Sequence, residues 1–194
     1  MIPIKENFTA VAIALIPVAM VVNIAAGQAA DFLGLPVYLD SIGTILVALL
    51  CGPWAGALTG IVSTIVWGMF SPYAAQFFPV AAWLGFAFGI LARHNGLSTW
   101  YRAGAAGLMV GLTIPFFTAP IAAHVYGNLN ATGFALIREI LGISLAGMAS
   151  VAFLENLMVE AADKAIAAMI AFVVVQRMST RYLARFIQAG KPVT

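Results

Sequence analysis

The sequence predicts an all-α integral membrane protein: a compact bundle of six transmembrane helices with both termini cytoplasmic, formed by a single domain over residues 1–194. Three observations carry that expectation. Charged residues are 8% of the chain and hydrophobic residues 63%, against roughly 25% charged in an average soluble domain. So few charges cannot coat a water-soluble particle of this size, and disorder or nucleic-acid binding fails on the same composition. The apolar runs are long, rich in Ala, Leu, Gly and Ile, and lack strict alternation. Lipid cannot hydrogen-bond an exposed backbone, so only helices or a closed barrel cross it, and this pattern selects helices. Finally, Lys5, Arg93, Arg102, Arg177, Arg181, Arg185 and Lys191 fall where one side of the bundle would collect them. The positive-inside rule makes that side cytoplasmic, and two termini on one side require an even number of crossings.

A span needs about 20 largely apolar residues. The first is expected from about Phe8 to Ala30 and contains Pro17. The second begins near Tyr38–Asp40 and ends at the Gly52-Pro53 turn signal. The third runs from Trp54 to about Phe70, and a short polar-aromatic loop after Ser71-Pro72 leads to the fourth, about Phe78 to Ala92. The fifth covers about Ala103 to His124, with Pro115 and Pro120 bending its outer half. The last lies in the Glu160–Val175 region, ahead of a basic tail. Ala131–Leu154 is apolar enough for another span, but it carries Arg138 and Glu139, each costing roughly 2.5–3.5 kcal/mol at the centre of a membrane helix. An even count therefore makes it a re-entrant or outer helical segment before the last span. The N-terminal run imitates a signal peptide, yet it exceeds the usual stretch of about 7–15 apolar residues and holds Glu6 beside Lys5. It is expected to stay as a span.

Enzyme signatures are absent: there is no Gly-rich phosphate loop, no H-E-x-x-H and no G-x-S-x-G. His94 is expected on the cytoplasmic side and His124 on the outer side, so the two cannot share a metal. The lone Cys51 cannot form an intramolecular disulfide and reads as a buried small hydrophobe. Neither a catalytic site, a metal nor a cofactor is expected. Small residues recur at separations of four in Gly52/Gly56/Gly60, Gly85/Gly89, Gly107/Gly111 and Ala10/Ala14. That spacing lines one helix face and lets backbones approach closely in lipid.

Polarity is unevenly divided. With six spans, Asp31, Asp40, Glu139, Glu155, Glu160 and Asp163 fall on the outer side against Arg138 and Lys164, whereas Glu6 is the one inner acid. Asp40, Arg138 and Glu139 lie at or inside apolar segments, where ionisable groups need partners or water. The candidate ligand site gathers Asp40, Trp67, Tyr73, Gln76, Trp83, His124, Asn128, Arg138 and Glu139 between the outer ends of the spans. Asp40 and Glu139 would supply charge or hydrogen-bond acceptance, with Arg138 partnering one of them; a purely structural Arg138–Glu139 pair is the alternative. Trp67, Tyr73 and Trp83 offer ring faces for stacking or cation–π contact. Acids outnumber bases here, which favours a neutral or cationic heteroaromatic ligand over a polyanion.

The segments Leu35–Thr44 and Gly52–Gly60, followed by Trp67-Gly68, Pro79–Ala82 and Asp163-Lys164, resemble the substrate-binding S components of energy-coupling factor transporters. The resemblance covers nearly the whole chain and is densest across spans two and three. It implies six helices with cytoplasmic ends in the cell membrane, and a vitamin or related micronutrient bound near the outer face. A pyridine- or thiazole-type vitamin (related to vitamin B6 or thiamin) fits the charge balance; cobalamin, with His124 near its metal, is the second choice. The resemblance further implies a membrane coupling subunit and two cytoplasmic ATPases as partners, with Ala10 and Ala14 as the small face that docks the coupling subunit. Two other readings stay open: a self-sufficient small permease or channel, and a membrane-embedded enzyme.

Overall fold

The computed structural model describes residues 7–94, 96–126 and 145–186; at 122–126, 145–153 and 155 it describes the helix path alone. The described chain is helical throughout, with α1 Ala10–Phe32, α2 Ile42–Cys51, α3 Pro53–Trp67, a 3-10 turn Ala74–Phe77, α4 Phe78–Arg93, α5 Trp100–Tyr126, α6 Leu145–Arg177 and a short α7 Thr180–Leu183. Local chemistry sets most boundaries. Thr9 caps α1 by accepting the Ala12 N–H at 3.2 Å. Gly52, at φ 104°, separates α2 from α3 in a conformation that a side chain would strain, and Pro53 then starts α3 where its missing N–H costs nothing.

Among the described residues, three segments are long and apolar enough to cross a membrane: Ala10–Phe32, Ala74–Arg93 and Trp100–Ile121. The structure departs from the expected spans in two places. The second and third apolar helices have 10 and 15 residues, short of the length that a bilayer requires. The reason is visible for α2, which packs against α1, α3, α4 and α6, with Ile45, Val47, Ala48 and Leu50 fully buried. Its hydrophobicity serves a protein interior. Second, Leu145–Leu154 is not a separate re-entrant element but the opening of the continuous 33-residue α6. No proline and only Gly147 interrupts that run, so nothing in it stops a helix. The remainder of the expected re-entrant segment, 131–144, lies outside the described residues.

Small-residue seams hold the bundle. Gly56 and Gly85 face each other so closely that a Cβ on Gly85 would reach 2.2 Å from the Gly56 carbonyl oxygen. Gly60 likewise abuts Ala81, and Gly89 abuts Pro53, which zips α3 to α4. Gly107 and Gly111 bring α5 onto α6 at Lys164-Ala165 and Glu160-Ala161. In lipid, burying apolar area supplies no drive for helix association, so such backbone contact carries the packing. The outward surface is apolar: Ile13, Val18, Val21, Met109, Leu112, Phe116, Val173 and Val174 are all exposed. An apolar exterior over long apolar helices is consistent with a multi-span membrane protein.

Candidate functional site

The charges that cannot avoid the bundle converge. On α6, Glu160 lies one turn before Lys164, the order of an acid and a base that best supports a helix. The Lys164 Nζ stands 3.3 Å from Glu160 Oε2 and 3.3 Å from Asp40 Oδ1, and it donates to Asp163 Oδ2. Three carboxylates thus surround one ammonium. Lys164 and Asp163 are buried, Glu160 nearly so, while the Asp40 side chain is 48% exposed. Asp40 is therefore the cluster's opening to the outside. Glu160 Oε2 is buried, and the Lys164 ammonium within ion-pair range is its partner.

The other oxygen of Asp163 holds the backbone between α1 and α2. Asp163 Oδ1 accepts the N–H of Tyr38 at 2.9 Å and of Leu39 at 2.7 Å. Leu39 itself adopts φ 52°, a left-handed conformation that a leucine seldom takes. That strain costs about 1–3 kcal/mol, which charge-assisted hydrogen bonds to a buried carboxylate offset. The same turn carries the Tyr38 ring to 5.9 Å from Lys164 Nζ. Burial, reinforced by Glu160, pushes the Tyr38 phenol up to about 12.

An aromatic wall adjoins the charges. A Cβ on Gly27 would fall 2.5 Å from the Trp67 ring and 3.4 Å from Asp40 Cβ. Gly27 is therefore the gap in α1 that admits the indole beside Asp40. One turn deeper on each helix sits a neutral node. Asn23 Nδ2 donates to Thr44 Oγ1 at 2.8 Å and to Ser63 Oγ at 3.0 Å, and its Oδ1 accepts the N–H groups of Gly43 and Thr44. All three side chains are buried.

Of the residues that the sequence singles out, Asp40 and Trp67 come together. Tyr73 and Gln76 are exposed in and just before the 3-10 turn, which packs on the ends of α3 and α4. Trp83 has other surroundings: its Nε1 donates to Thr113 Oγ1 at 2.9 Å and its ring tilts onto Phe117 with centroids 5.5 Å apart. His124 lies on the α5 path with its side chain outside the description, and Asn128, Arg138 and Glu139 fall outside the described residues. Ala10 and Ala14 are exposed on α1. Sequence reasoning passed over Lys164, Glu160, Asp163 and Tyr38 as site residues. A signal was available, since three charges within five residues of an apolar helix must find partners.

This arrangement can recognise a cationic or hydrogen-bonding group at Asp40 and a flat ring against Trp67. Among the described residues, no three His, Cys, Asp or Glu side chains are grouped to hold a metal ion. No protein family, curated protein or solved structure matches the chain.

Proposed function

We propose that the chain binds a small vitamin-like micronutrient at the Asp40–Trp67 end of the bundle and serves as the S component of an energy-coupling factor transporter. In this reading a membrane coupling subunit and two cytoplasmic ATPases power uptake, and the chain performs no chemistry of its own. The observation that carries it is the charged cluster of Asp40, Glu160, Asp163 and Lys164, open at Asp40 and walled by Trp67. A bilayer tolerates ionisable groups where they serve a ligand or an ion path. The acid excess suits a neutral or cationic heteroaromatic molecule, related to vitamin B6 or thiamin, ahead of cobalamin.

A second feature supports docking. The glycine stripes of α3, α4 and α5 are each pressed against a neighbouring helix, whereas Ala10 and Ala14 face outward beside Ile13 and Pro17. A small stripe turned to the exterior lets a foreign helix approach closely. The test is to express the chain with a coupling module and measure both uptake and ligand retention by native mass spectrometry. The expected result is a retained small molecule in wild type, and loss of uptake with intact retention in Ala10→Trp/Ala14→Trp. Uptake by the chain alone would mean a self-sufficient permease, and conversion of the retained molecule would mean an enzyme.

A further inference from the structure

The outward side of α6 ends in an arginine. Ile166, Ile170, Val173 and Val174 are exposed, and their separations of three and four residues place them on one face of the helix. Arg177, the last residue of α6, continues that face one turn after Val173 and is exposed as well. An apolar stripe closed by a basic residue suits a helix leaving a bilayer, where the side-chain stem follows hydrocarbon and the guanidinium reaches the headgroups.

The segment that follows holds two more arginines at this end of the bundle. Ser179 caps α7 by accepting the Tyr182 N–H on its Oγ at 3.3 Å. Phe186 is buried in one cluster with Ala12 of α1, Cys51 of α2 and Ala55 of α3, and Leu183 packs against that cluster. The Tyr182 ring meets Phe186 edge to face, with centroids 5.2 Å apart. The segment is thus fastened to the bundle while Arg181 and Arg185 are left exposed. No acid lies between Arg177 and Phe186. Among the described residues, no ion pair or side-chain hydrogen bond engages Arg177, Arg181 or Arg185.

We infer that Arg177, Arg181 and Arg185 form a headgroup site for an anionic phospholipid whose acyl chain lies along the Ile166–Val174 stripe. Charge and continuity argue for this occupant. Unopposed guanidinium groups complement a phosphate and can bind it through paired N–H donors. Arg177 joins the exposed apolar stripe without a break, so the anion it meets carries an acyl chain beside it. A soluble acidic partner would answer the charge and leave the stripe unused.

The test uses the full chain purified in detergent, stripped of lipid, and titrated with phosphatidylglycerol or phosphatidylcholine of identical acyl chains. Native mass spectrometry counts the bound lipids. Wild type should favour phosphatidylglycerol by about fivefold for each engaged arginine. Arg177→Gln should cut that preference by about fivefold, and Arg177→Gln/Arg181→Gln/Arg185→Gln should abolish it. The same three positions changed to Lys should keep most of it. Arg102→Gln removes an equal charge from α5, where the guanidinium donates to Ser98 Oγ at 3.1 Å, and should leave the preference unchanged. Equal retention of the two lipids by wild type overturns the proposal, as does an equal loss in Arg102→Gln, which would make net charge the cause. A preference that survives in the triple Gln variant, folded by circular dichroism, overturns it too. Polyglutamate that displaces phosphatidylglycerol from wild type and fails to bind the triple Gln variant would assign the arginines to an acidic protein surface, and also overturn it.

Discussion

The Asn23 and Lys164 nodes answer the same problem, polar groups inside an apolar bundle, in opposite ways. Asn23 joins α1, α2 and α3 with neutral partners, and both donors and the acceptor of its amide are engaged. Lys164 joins α6 to the segment between α1 and α2 with charge, three carboxylates to one ammonium, and Asp40 remains half exposed. A closed neutral node has no unmet demand and can only hold helices together. An open, unbalanced node retains capacity for something that arrives from outside. The difference separates structural polarity from polarity available to a ligand, although the two lie about one helical turn apart.

The comparison breaks most visibly at Lys164. Lys164→Met leaves three carboxylates facing one another without the ammonium, and removing one partner of a buried ion pair costs about 3–5 kcal/mol. Unfolding of the purified protein in detergent should register that loss, and Lys164→Arg should recover part of it. A Lys164→Met variant as stable as wild type would show that the cluster is not buried as described.

Asn23→Ala is a smaller perturbation. It removes hydrogen bonds to Thr44 and Ser63 and leaves the N–H groups of Gly43 and Thr44 unmet. Interhelical hydrogen bonds in membrane proteins average about 0.6 kcal/mol each, so a loss of about 1–2 kcal/mol is expected in the same assay. Ligand retention by the surviving folded protein should be unchanged; if retention falls with Asn23, the neutral node belongs to the site.

Asp40→Asn should affect stability least, by less than about 1 kcal/mol, because an exposed ion pair is screened. Its effect on binding should be the larger one, about a tenfold weaker affinity for the retained molecule by calorimetry. An affinity equal to wild type would remove Asp40 from the site and make the cluster structural.

Part of this contrast was legible without coordinates. Asp40 stands out as an acid at the edge of an apolar run, and Trp67 as an indole at a helix end before a turn. Cys51 reads as a buried hydrophobe, and it is buried. Lys164 was not legible as the partner of Asp40, because that contact closes across 124 residues of chain and periodicity carries no information at that range.

The sequence by itself determined the class of protein and most of its helices. Composition fixes how much surface water can cover, and Thr9, Gly52 and Pro53 are local signals whose physics needs no distant neighbour. It also determined that the glycine stripes would be packing faces, since a missing Cβ permits close approach wherever a partner lies. Only the tertiary structure decided which stripes found a partner inside the bundle, and that Ala10 and Ala14 stay exposed among the described residues. The same holds for α2, whose ten apolar residues look like a shortened span until its neighbours on four sides are known. Burial and charge pairing depend on which helices meet, and that follows from the summed fit of many side chains, which no single segment records.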